Sequence, residues 1–418
     1  MTKLALDHAP VVNLPRRFLL SMPVWGLIAG VLLMADGDAS LRSRWYPGTL
    51  ALVHAYTLGV LGNAMFGSLL QFLPAAAGVR LCGERVGPWM HGALNVGALL
   101  LVGGLYENSR AAMMTAALML PVAFALLVGM TLPGISRATG QHLLRMGMGT
   151  ALASAMGAAS LGGTLAWGCA GIPSLELPAW VDVHASVAVL AWVVMLLASV
   201  GRVVMPMFMG TGVPPVRFQA AWLVSLVVFL TMAVALRLQC GAEGALSAVL
   251  AIFGLSFALT VFWLQRRTPM ARRGPLWWSW RAGAMVLGLS AVALPFGKRM
   301  GMLAGALALG VALPLIIVGM ALEIVAFLGW IELHRRVGRG VQLPSVQRLM
   351  LLRERATALL ALLVGAAPLI AAVWTPDTWL IRLAGLAQCV AWLLVAFAFF
   401  GTLRRVRLFL RNRVKVMP

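Results

Sequence analysis

A chain of 418 residues that is 61% hydrophobic and only 11% charged lacks the polar shell of a water-soluble domain, since such domains carry roughly 25% charged residues. Its net charge of +21 would suit a nucleic-acid binder, but the basic residues fall between apolar runs. Membrane topology explains that placement, and no nucleic-acid partner is expected.

In chain order, apolar runs of the roughly 20 residues that a bilayer requires predict spans near 17–36, 48–77, 89–106, 111–133, 143–168, 179–210, 218–237, 244–265, 277–296, 302–331, 355–374 and 378–403. The fold class expected is therefore all-α: a polytopic membrane protein of about twelve transmembrane helices forming a single transmembrane domain over 1–418. The first run, Leu19–Ala35, is followed by no small-residue cleavage site and reads as a retained helix. The spans near 48–77, 179–210 and 302–331 are longer than a bilayer needs, so they tilt or project from it.

Lys and Arg set the orientation. Lys3, Arg16, Arg17, Arg80, Arg85, Arg137, Arg145, Arg217, Arg266, Arg335, Arg339, Arg348, Arg355, Arg404 and Lys415 fall on one side. The other side receives Arg42, Arg44, Arg110, Arg237, Lys298, Arg299 and Arg382. The positive-inside rule then places both termini in the cytoplasm, in a bacterial-type inner (plasma) membrane, with the lipid bilayer as the main partner. Trp180, Trp277, Trp278, Trp280, Trp330, Trp374 and Trp379 lie near span ends, where an interfacial belt is expected.

Ionisable residues inside spans are costly and are functional candidates. His54 opens the second span and His184 the sixth, both at the weakly basic side. Each begins a His-Ala stretch that ends in a proline and then a glycine four residues on, at Pro74 and Gly78, and at Pro206 and Gly210. This suggests an internal repeat with a period of four spans, hence three groups of four. Helical spacing puts His54, Thr57, Leu61, Ala64, Ser68 and Gln71 on one stripe, and His184, Ala188, Ala191, Met195, Ala198 and Arg202 on another. Two readings of the histidines stand open: hydrogen-bonded close packing, or ligation of haem or a metal.

His91 and His142 form a second possible pair at the opposite, basic face, where interfacial placement is the plainer reading. His8 and His334 lie in a terminal tail and a basic loop. Asn63 and Asn95 are expected to join helices by hydrogen bonds. Glu323 and Arg202 fall at the same depth by count and are expected to pair. Cys169 and Cys240 map to the same side, where a disulfide is chemically possible; no CxxC or Cys/His cluster suggests zinc or an iron–sulfur centre. No phosphate-binding, serine-hydrolase or zinc-protease motif occurs, and no catalytic residue is assigned.

The span count, the four-span repeat and the paired histidines together resemble the heme-copper oxidase subunit I superfamily. That resemblance implies twelve helices in three groups of four, with His54 matching an axial haem ligand and His184 a copper ligand. It departs where the family needs further histidines: Phe218–Arg237 and Met302–Ile331 have none, so a copper–haem oxygen-reducing centre is not expected. The chain also resembles NnrS-like proteins, linked to haem and nitric oxide stress, through Arg17-Phe18-Leu19-Leu20 and the stretch from His54 to Pro74 and Gly78. The resemblance implies haem b, or copper or iron, as cofactor, and a role in respiratory or nitric oxide and haem metabolism. The alternatives are a secondary transporter with helices broken at Pro133, Pro295 or Pro314, and a cofactor-free assembly factor.

Overall fold

The computed structural model describes residues 10–172, 175–337 and 341–414. Lys3, His8, Arg339 and Lys415 lie outside them. Among the described residues the secondary structure is helical, with no strand. Ten helices are long and apolar enough to cross a membrane, the signature of a multi-pass membrane protein: α1 (Asn13–Asp36), α2 (Pro47–Ala77), α3 (Glu84–Tyr106), α4 (Arg110–Arg137), α6 (Leu177–Met209), α7 (Val216–Cys240), α8 (Glu243–Gln265), α10 (Arg299–Arg336), α11 (Leu352–Trp374) and α12 (Thr378–Asn412). Two further helices, α5 (His142–Cys169) and α9 (Pro275–Ala293), complete the chain order. Both are long enough to span. They are less apolar because α5 carries six glycines and α9 carries three tryptophans and Arg281.

The helices sort by burial. In α2 and α10, 78% of the most apolar stretch is buried, and in α6, 61%; the other apolar helices reach 50% at most. These are the three long spans anticipated from sequence, and their excess length serves a central position. Each contains a π-helical segment: Ala55–Gly62 in α2, Val187–Val194 in α6 and Ala306–Ala312 in α10. The segments of α2 and α10 meet one another.

Neighbours in sequence double back on one another, and small residues set the approach. On α1, Gly26 faces Trp392 of α12, and a Cβ there would stand 2.0 Å from the indole; four residues on, Gly30 meets Gly385 and Cys389. The last helix thus runs antiparallel along the first, and the outer helices close into a ring. Trp392 is fully buried in that seam.

Several expected boundaries shift. The last helix continues past 403 to Asn412, because arginine is a good helix former and the run from Arg404 onward has no breaker. Pro133 sits inside α4 and Pro314 inside α10, so neither breaks its helix; Pro295 falls just after α9. Trp278, Trp374 and Trp379 are exposed, whereas Trp277 and Trp280 are buried in the core.

Candidate functional site

His54 is the last residue before the π segment of α2, and His184 lies three residues before that of α6. Their imidazoles come together: ring centres lie 6.5 Å apart with the planes 21° from parallel. Both rings are partly buried.

Each ring is held through Nδ1. His54 Nδ1 lies 2.7 Å from the Leu50 carbonyl oxygen one turn earlier, and His184 Nδ1 lies 3.1 Å from the Ala158 carbonyl oxygen of α5. A carbonyl can only accept, so Nδ1 carries the proton in both rings. In the neutral imidazole Nε2 then keeps its lone pair. This is the arrangement by which metal-binding histidines are oriented from behind.

Close backbone approach fixes His184 further. A Cβ at Gly162 of α5 would stand 2.9 Å from His184 Cε1, so only glycine leaves the ring its place. Two residues before His184, Asp182 accepts hydrogen bonds from Arg44 Nη1 at 2.8 Å and from Arg237 Nε and Nη2 at 3.1 and 3.0 Å. That cluster ties the start of α6 to the end of α7 and to the segment before α2. The sequence marks Arg44 and Arg237 as loop cations on the same side as His184, which is the one signal that could have suggested this anchor.

The separation suits a shared ion. Two imidazole nitrogens bound across one metal sit about 4 Å apart, and roughly 1 Å more from each nitrogen to its ring centre brings the centres to about 6 Å. Among the described residues no group of three or more His, Cys, Asp or Glu side chains gathers. The donor set is therefore two imidazoles, which would suit a haem iron or a two-coordinate soft ion and does not fit a tetrahedral structural zinc.

The second histidine pair does not form. His91 Nε2 is 2.8 Å from Ser21 Oγ and its ring packs edge-on against Phe18, whereas His142 is exposed at the start of α5. His91 instead flanks an amide network. Asn63 and Asn95 exchange side-chain hydrogen bonds of 3.0 Å in both directions, and Trp25 Nε1 donates to Asn95 Oδ1 at 2.7 Å. The expectation that these asparagines join helices is met.

The anticipated Arg202–Glu323 pair is absent. Arg202 donates to Gln219 Oε1 at 2.6 Å and to the Pro214 carbonyl at 2.7 Å. Glu323 pairs with Arg355, a residue counted from sequence as a loop cation. The structure starts α11 at Leu352, and Arg355 is only 7% exposed. Depth counted along each helix could not reveal which neighbour faces Glu323. Cys169 and Cys240 are both free and exposed, so no disulfide joins them.

Neither a family model nor a curated protein sequence matches this chain.

Proposed function

We propose that this chain is an inner-membrane haem- or metal-binding protein in which His54 and His184 share one centre. The observation that supports this reading is the paired imidazoles, 6.5 Å between ring centres, each with Nδ1 donating to a carbonyl and the Nε2 lone pair left for an ion. The oxidase-like expectation of a haem ligand and a copper ligand in separate sites gives way to a single two-imidazole site. Haem b is the candidate cofactor, with copper or iron as the alternative ion. A haem iron held by two imidazoles supplies one-electron redox chemistry. The chain's own contribution is to orient both rings from their Nδ1 side and to pack α5 closely against His184.

On this reading all twelve helices, α5 and α9 included, cross the membrane, and both termini are cytoplasmic. The heme-copper oxidase-like arrangement in three groups of four, shared with NnrS-like proteins, is part of the proposal. It draws support from the π segments of α2 and α6 and from Pro74 and Pro206, which are related by one common sequence offset. The two histidines are related by an offset two residues shorter. They are therefore not repeat equivalents, and the pair is asymmetric by construction. Without histidines in α7 or the central part of α10, the site is assigned no oxygen reduction.

The test is haem and metal content of purified protein from haem-replete, copper- and iron-supplemented cells. Pyridine haemochrome and elemental assays are expected to find one haem or one transition-metal ion per chain. His54→Ala and His184→Ala are each expected to lose it. A wild-type protein with neither would defeat the reading.

A further inference from the structure

Where α8 ends and α9 begins, the chain gathers cations without counter-ions. From Gly244 to Leu322 the sequence has no Asp or Glu, yet the turn between these helices and the first part of α9 hold Arg266, Arg267, Arg272, Arg273 and Arg281. The two helices pack side by side. Arg281 stands six residues after the start of α9 at Pro275, about 9 Å along the helix. On the proposed topology that is inside a span, where an ionisable side chain is costly and marks a functional site.

Aromatic rings hold the guanidinium groups in place. Arg281 lies over the Phe262 ring of α8 at 4.9 Å and over the Trp277 ring of its own helix at 5.0 Å, and Arg273 lies over the same indole at 5.3 Å. Sharing one indole keeps the two cations close enough for one headgroup to meet both. Cation–π contact steadies the charge but engages no N–H donor. Arg273 Nε donates to the Thr268 carbonyl at 3.2 Å. Its Nη groups, and every donor of Arg281, have no acceptor among the described residues. Both residues are half-buried, and unlike the sealed Nε and Nη2 of Arg355, these nitrogens open to the surface.

We propose that Arg273 and Arg281 bind the phosphodiester of an anionic phospholipid. Three features select that ligand. Guanidinium N–H groups take phosphate oxygens in pairs. A zwitterionic headgroup would find no carboxylate here for its ammonium, and five arginines oppose it. Trp263 and Trp278, next to Phe262 and Trp277, are 49% and 59% exposed; such rings suit the boundary of headgroup and acyl chain, which favours a lipid over a free anion. Helical side chains lean toward the helix N-terminus, so Arg281 reaches from within the span to the headgroup level at the start of α9. Basic sites between helices recognise anionic headgroups in this way. The assignment rests on α8 and α9 crossing the membrane, as proposed above, and is independent of the histidine centre.

Native mass spectrometry of the full chain, titrated with phosphatidylglycerol or with phosphatidylethanolamine of the same acyl chains, tests the assignment. One phosphatidylglycerol is expected to bind about tenfold more tightly than phosphatidylethanolamine. Arg281→Gln and Arg273→Gln are each expected to weaken it about tenfold and to erase the headgroup preference. Arg266→Gln with Arg267→Gln removes two exposed charges from the same stretch and is expected to leave the affinity within roughly threefold. Melting curves establish that each variant is folded. Equal affinity for the two lipids, unchanged affinity in either Arg281→Gln or Arg273→Gln, or an equal loss in the Arg266 and Arg267 double variant would overturn the proposal, as would release of the lipid by inorganic phosphate. Lipid binding is read without haem or metal, and a wrong topology would show in reporter fusions, so each failure is distinct.

Discussion

A single missing methyl group holds the candidate site open. The His184 ring occupies the space that a side chain at Gly162 would take, with Cε1 2.9 Å from the position of a Cβ. Gly162→Ala is expected to push the ring off its Ala158 hydrogen bond and weaken haem or metal binding by roughly 10- to 100-fold, the range for losing an outer-shell support. A titration of apo-protein with hemin or metal checks this, and unchanged affinity would show that the ring has another place to go. The Glu323–Arg355 pair poses the opposite case at residue scale. Arg355 is buried and Glu323 partly buried, so Arg355→Leu leaves a lone carboxylate at the edge of the core and is expected to cost about 3 kcal/mol of stability. The double variant Arg355→Leu with Glu323→Leu is expected to recover most of that loss in detergent melting. If the double variant is as unstable as the single one, the pair is not the reason.

At the scale of elements, mid-span position marked Asn63 and Asn95 as amides that join helices, and they do so by bonding each other between α2 and α3. Such a pair is worth about 1 kcal/mol in a membrane protein, so a double-mutant cycle of Asn63→Leu and Asn95→Leu is expected to return a coupling of that size, and a coupling near zero would contradict it. Periodicity failed where the helix was irregular. The stripe from His54 to Gln71 crosses the π segment Ala55–Gly62, which winds more loosely than an α-helix and rotates the residues before it relative to those after it. The sequence therefore showed both the histidine and Ala64, Ser68 and Gln71 beyond the π segment, but not how the two are set against each other. Partners across the bundle were equally hidden: nothing local distinguishes Arg355, which faces Glu323, from the arginines that face solvent. Gly162 and the Ala158 carbonyl belong to α5, whose one candidate from sequence, His142, stands at the other end of the helix.

For the whole molecule, hydropathy gave the class, and burial gave the order: three central helices with the rest around them and the last helix laid along the first. The proposed orientation predicts that a reporter fused after Asn412 is cytoplasmic and that one inserted between Gly171 and Pro178 is periplasmic; a periplasmic reporter after Asn412 would break the twelve-span account. The central claim is that two imidazoles from α2 and α6 share one centre. The reduced-minus-oxidised absorption spectrum of protein purified from haem-replete cells tests it most directly. The account predicts a b-type reduced spectrum with a Soret band in the wild type, lost in both His54→Ala and His184→Ala. A Soret band that survives either substitution would contradict it.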